Sequence, residues 1–134
     1  LESLAYEKKV VLDMKLPESC MLCSSGEDLL RIVSSLLENA LKYEQEGGRV
    51  LLSLVCEKKN AVLSVQNFGS CIAEQDLPHV FDRFYRSDKS RGSKAGSFGL
   101  GLAITRKMTE RLGGKITARS SREEGTIFTV SFRI

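Results

Sequence analysis

No apolar run in these 134 residues approaches the roughly twenty needed to span a membrane. The apolar stretch near Val10 is short and is broken by Asp13 and Lys15, so there is no signal-peptide pattern either. An excess of one charge is also lacking: the formal net charge is +3, too little to imply nucleic acid. Arg83, Arg86, Lys89, Arg91 and Lys94 form a loose basic group, but Phe84 and Tyr85 are the only aromatics interleaved with it. A local phosphate-facing loop fits that group better than a DNA patch. Histidine occurs once, as His79, and of the four cysteines only Cys20 and Cys23 form a C-x-x-C, with Cys56 and Cys71 standing alone. A zinc site wants two such pairs, or one pair with nearby histidines. A redox C-x-x-C would sit after a strand and open a helix, which the surroundings of Pro17 match only in part. The expectation is therefore reduced, unpaired thiols in a cytosolic domain, with a thiol or metal switch at Cys20 and Cys23 as the lesser alternative. No phosphate-binding P-loop, no Rossmann fingerprint after a strand, no internal repeat and no interdomain linker is present.

What is present is enough for one domain, 1–134, with one core: 42% hydrophobic and 28% charged residues. The chain begins at Leu1, not Met, and is expected to be a piece of a longer protein whose membrane or sensor segments lie outside it. Alternation over 9–16 (KVVLDMKL) predicts a strand ended by Pro17. Ser24 and Glu27 make a capping box for a long helix reaching Tyr43. The runs 49–56 and 61–66 predict a hairpin, and Gly47-Gly48 before them a helix stop and turn. Short helical signals between Glu74 and Tyr85 are broken by Pro78. Residues 87–97 (SDKSRGSKAGS) predict a long functional or mobile loop. A helix over 98–112 follows, with Leu102, Ile104, Met108 and Leu112 available for burial, stopped by Gly113-Gly114. Two strands, 115–119 and 126–134, close the chain. Clustered strands and helices, without strict alternation, predict an α+β fold: a two-layer sandwich of a mixed, mostly antiparallel sheet with helices on one face.

Chemistry concentrates in two stretches. In 34–43 (SSLLENALKY), about 3.6 residues per turn puts Asn39, Lys42 and Tyr43 on one side, with Glu38 at its margin. Leu29, Leu30, Val33, Leu36, Leu37, Ala40 and Leu41 lie on the other, core-facing side. An amide, a carboxylate and an ammonium around one cavity suit a magnesium–phosphate site. Taken alone, the stretch reads as an ordinary amphipathic helix whose Glu38–Lys42 pair contributes only about 0.2–0.5 kcal/mol. The second stretch, 96–102 (GSFGLGL), alters that balance. It joins a loop to a helix start, where glycines allow close approach and free N–H groups bind anions.

The motifs together resemble those of the catalytic ATP-binding domain of bacterial sensor histidine kinases, the Bergerat-fold group shared with gyrase B, Hsp90 and MutL. LLENALKY resembles the N box, 67–72 the first Gly box, FDRFYR the F box and 96–102 the second Gly box, with GGKI and GTIF following. The resemblance implies that Asn39 ligates Mg2+, that Glu38 polarises or deprotonates the attacking group, and that Lys42 neutralises phosphate. It implies that Tyr43 packs near adenine and ribose, that Asn67 accepts from the adenine amino group, and that Gly69 and Ile72 line the base pocket. Phe84 and Arg86 would position the lid, and Gly99, Leu100, Gly101 and Leu102 would form the phosphate cradle. Thr126 would floor the adenine site. ATP and Mg2+ are thus the implied cofactors. The implied partners are a dimerisation and phosphoacceptor hairpin absent from this piece, a response regulator, and a second copy in the full-length dimer. The implied location is a cytoplasmic domain of a membrane-anchored sensor. His79 lacks the acceptor motif and is read as structural. Two departures stand out: Asn67 where the pattern has Asp, and Cys71 where it has Gly. A neutral acceptor is roughly half as strong as a charged one, a loss of about 1–2 kcal/mol of adenine affinity. A regulatory nucleotide-binding module without phosphotransfer is the alternative this raises.

Overall fold

A chain that leaves β1 (Val11–Lys15), passes through α1 (Gly26–Tyr43) and returns as β2 (Arg49–Glu57) lays the two strands side by side and parallel, Leu12 opposite Val50. From there every pairing is antiparallel. β2 and β3 (Asn60–Asn67) form a hairpin with Leu54 opposite Leu63, and β5 (Gly125–Arg133) adds to β3 with Val65 opposite Phe128. β4 (Lys115–Ser121) pairs only with β5, so the five strands run β1-β2-β3-β5-β4. Among the described residues between β3 and β4 are a 3-10 turn, Leu77–His79, and α2 (Phe98–Arg111). This computed structural model describes residues 9–15, 26–44, 47–57, 59–69, 71–82 and 98–133, with backbone alone for 26–28, 43 and 98–101. The sheet is mixed and mostly antiparallel with both helices on one face, as the element order predicts.

The period of two in β3 decides which face is inside. Ala61, Leu63, Val65 and Asn67 are buried while Val62, Ser64 and Gln66 between them are half-exposed. On the outer face Ser53, Ser64, Thr129 and Thr117 line up across four strands, a solvated row that needs no second helical layer. Inside, Ile32, Leu36, Leu37, Ala40 and Leu41 of α1 meet Val50, Val65, Phe128, Val130 and Leu102. Each such side chain, fully buried, contributes about 1.5–3 kcal/mol. Phe81 reaches this core edge-on, its ring 5.9 Å from that of Phe128. The Val11 N–H donates to Gly48 O, tying β1 to the turn before β2.

Several expectations need correction. Leu30, placed on the core side by the helical period, is 64% exposed, while Ile32 is fully buried. Leu30 sits at the margin of the apolar arc near the helix start, where only the middle of the arc reaches the sheet. Ile104 is 45% exposed; Thr105 and Thr109 take the buried line of α2 instead. They can because their hydroxyls are bonded: Thr109 donates to Thr105 O at 2.8 Å, and Thr105 Oγ1 shares a 2.6 Å hydrogen bond with Ser35 Oγ. Cys56 is disulfide-bonded, against the expectation of unpaired thiols, whereas Cys71 is a free, exposed thiol. Spacing along the chain tests C-x-x-C pairs but says nothing of which residues distant in sequence come together. Cys20, Cys23, the capping box at Ser24 and the loop 87–97 lie outside the described residues. No helix among the described residues is long and apolar enough to cross a membrane.

Candidate functional site

The two helices run in opposite directions, and the hydrogen bonds at their ends show it. α2 stops in a Schellman pattern, Gly114 N–H to Thr109 O and Gly113 N–H to Glu110 O, both 2.9 Å, with Gly113 at φ +79. Gly114 lies against Phe132 and Ser131, so α2 ends beside the C-terminal end of β5. α1 ends at the other end of the sheet: the carboxylate of Glu44, just past the helix, accepts from the Gly69 N–H beyond β3. The first turn of α2 therefore lies at the same end as the last turns of α1. The Ser35–Thr105 hydrogen bond fixes which sides face each other. One turn on from Ser35 is Asn39, and one turn back from Thr105 is 101–102, so those turns are opposed. The first N–H groups of α2 have no partner within the helix, and no acidic residue sits in its first turn. The helix dipole makes that terminus attractive to anions.

Polar groups gather at this end of the sheet. Asn67 and Thr126 face each other across β3 and β5 and are 2% and 3% exposed. Ser120 Oγ and Thr126 Oγ1 share a 3.1 Å hydrogen bond, and Ile72 N–H donates to Ser120 Oγ at 2.7 Å. Glycine is required at 125: its φ is +72, and a Cβ there would lie 2.8 Å from Phe68 Cα. That close approach lets the start of β5 press against the end of β3. Phe68 turns to the other face, where the Arg49 guanidinium lies 5.0 Å from its ring centre, so its bulk does not enter the polar end.

Of the sequence-predicted residues, Asn39 and Lys42 are half-buried on α1 and Glu38 is exposed beside them. Asn67, Gly69, Ile72 and Thr126 belong to the polar end, with Ile72 also packed on the core. Gly99, Leu100 and Gly101 form the first turn of α2, where the backbone alone is described, and Leu102 follows with its side chain buried in the core. Tyr43 ends α1, its side chain undescribed, and Phe84 and Arg86 lie outside the described residues. His79 is on the surface, its Nδ1 2.8 Å from Asp82 Oδ2. A shallow cleft of about 410 Å3 opens between Leu77, Phe81, Arg106, Glu110 and Ile116. None of the predicted residues lines it; Arg106 and Lys115 lend it positive charge, but Glu110 is the one carboxylate in its lining for a metal. Sequence reading missed Glu44 and Ser120. A signal for Glu44 existed: a carboxylate at a helix C-terminus opposes the dipole and wants another partner.

The family of histidine kinase-, DNA gyrase B- and HSP90-like ATPases matches residues 25–134. The sensor histidine kinase RppB of Synechocystis is 40% identical over 119 residues, 83% of this chain and 26% of that protein. WalK of Bacillus subtilis, also a sensor histidine kinase, is 38% identical over 126 residues, 92% of this chain and 21% of that protein. The chain thus spans about a quarter or less of these relatives. Among solved structures, the mycobacterial sensor histidine kinase MprB superposes with a TM-score of 0.84 at 25% identity, covering 98% of this chain and 89% of that one.

Proposed function

This chain belongs to the histidine kinase-, DNA gyrase B- and HSP90-like ATPase family, and on that premise we propose that it binds Mg–ATP at the polar end of the sheet and donates the γ-phosphate to a histidine on a separate hairpin of the full-length protein. What carries the reading is one convergence. The Asn39 turn of α1, the Asn67–Gly69 corner, Thr126 and the N-terminus of α2 meet at one end of the sheet, on its helical face. Asn67 takes the adenine amino group and Thr126 closes the floor beneath it, while Gly69 and Ile72 line the base. The free N–H groups at 99–101 bind the phosphate chain, with Lys42 adding positive charge.

The residues suit a magnesium ion. Mg2+ takes one or two protein oxygens and completes its shell with water and phosphate. The half-buried Asn39 amide, opposite an N-terminus bare of acidic side chains, provides such an oxygen. The ion supplies neutralisation of phosphate charge when bound. In this reading Glu38, exposed beside Asn39, accepts a proton from the incoming imidazole. The hairpin histidine attacks the γ-phosphorus, the new P–N bond forms as the bond to the ADP oxygen breaks, and ADP leaves with that electron pair. The surrounding assembly in this reading is a dimeric, membrane-anchored sensor with this domain in the cytoplasm, passing phosphate to a response regulator.

Transfer of label from γ-labelled ATP to an added hairpin domain tests this directly; no transfer, with ATP bound, would contradict it. Asn67 supports a second reading. It is neutral and buried where the resembled pattern has a carboxylate, which suits a nucleotide-sensing module that binds without transfer. Metal-independent nucleotide binding together with absent transfer would favour that reading.

A further inference from the structure

Glu44 lies outside every role assigned above, and its surroundings are built around it. Its side chain is 3% exposed. A carboxylate that deeply buried is costly unless its oxygens are hydrogen-bonded, and both oxygens accept from the Gly69 N–H, at 2.9 and 3.0 Å. Two glycines make the room. A Cβ at Gly48 would lie 2.6 Å from Glu44 Cδ, and one at Gly69 would meet the same carboxylate with Cδ at 3.2 Å. Gly48 is on the turn after α1 and Gly69 on the corner after β3, so the carboxylate is wedged between two backbones. The same corner is tied at two more amides, Phe68 N–H to Arg49 O at 3.2 Å and Ile72 N–H to Ser120 Oγ. Those two bonds fix it to the sheet. Of these three contacts it is the Glu44 one that joins the corner to the end of α1, five residues beyond Asn39 and two beyond Lys42.

We propose that Glu44 is a positioning residue that sets the base-binding corner at 67–69 against the α1 end bearing Asn39, and so governs recognition of the adenine ring separately from that of the phosphates. The inference rests on the nucleotide-binding reading above. If the Gly69 amide is released, the corner loses its register with α1 and the Asn67 carboxamide loses its fixed direction. The phosphate cradle at the start of α2 is built on a different element from the corner and keeps its affinity.

The test is calorimetric titration of the chain with Mg–ATP and, separately, with magnesium and inorganic triphosphate. In Glu44→Ala the Mg–ATP affinity falls about tenfold, the size expected for loss of a charge-assisted hydrogen bond, while triphosphate affinity holds within about twofold. Glu44→Gln keeps the shape and one acceptor, and loses less. Gly69→Ala in the otherwise unchanged chain displaces the carboxylate and mimics Glu44→Ala; added to Glu44→Ala it costs little more, because both remove one contact. Amide exchange at Gly69 speeds up in both Glu44 variants without nucleotide, a readout that survives if Glu44→Ala folds poorly. An equal fall for ATP and triphosphate, unchanged ATP affinity, or fully additive losses would overturn the assignment. An unsubstituted chain that binds neither probe would overturn the nucleotide reading itself, and this inference with it.

Discussion

At one end of the sheet the polar Asn67, Thr126 and, just past α1, Glu44 are buried beside Val50; at the other the buried positions include Ala61, Ile116, Val130 and Phe132. The two ends share strands, helices and alternation, and differ in what the inward positions hold. The apolar end is closed by packing: Gly114 has no room for a side chain, since a Cβ there would lie 2.6 Å from the Phe132 ring. The polar end is closed by hydrogen bonds through Glu44 and Ser120. Burying polar groups where Val or Leu would fit does not favour stability. On the proposed reading such an end serves binding, and the opposite end supplies the stability that permits it.

The largest expected effect is at the apolar end. Phe132→Ala should destabilise the domain by about 3–5 kcal/mol in denaturant unfolding, with nucleotide affinity of the folded fraction unchanged. A loss below about 1 kcal/mol would remove the contrast between the ends. Asn39→Ala, at the other end, should abolish the magnesium-dependent part of ATP binding, at least about a tenfold loss or 1.4 kcal/mol. Its midpoint of unfolding should hardly move, since Asn39 is not in the core. Ser120→Ala leaves the Ile72 amide without its acceptor and should lower stability by about 1–2 kcal/mol. ATP affinity should fall with it, as the corner loosens. Smallest of all, Arg49→Ala removes an exposed ion pair with Asp13 at 2.8 Å and the stacking on Phe68. Half-exposed groups of this kind contribute at most about 1 kcal/mol, screened by salt, and thermal unfolding in low and high salt would show it.

The fold was readable in the sequence because its signals are local. Strand alternation in 61–67, the glycine pair after α2 and the long apolar arc of α1 each mark an element without reference to the rest. What was not readable depends on tertiary contact. Thr105 and Thr109 look polar in sequence and are buried because Ser35 and a helical carbonyl meet their hydroxyls. Leu30 and Ile104 look apolar and are exposed because each lies off the line of its helix that reaches the sheet. Motif order pointed to Asn39, Asn67, Gly69 and Thr126, and these lie in one region. Glu44 and Ser120 belong to no motif: they act on backbone amides, which carry no residue-type signature. The disulfide at Cys56 escaped for the same reason, since pairing follows space and not spacing.

The most direct measurement is the map of backbone amide shifts on adding Mg–ATP to the isotopically labelled chain. The account predicts perturbations at Gly69, Ile72, Thr126, the last two turns of α1 and the first turn of α2, with 114–118 still. Shifts confined to the cleft between Arg106, Glu110 and Ile116, with the Asn67 corner unmoved, would contradict it.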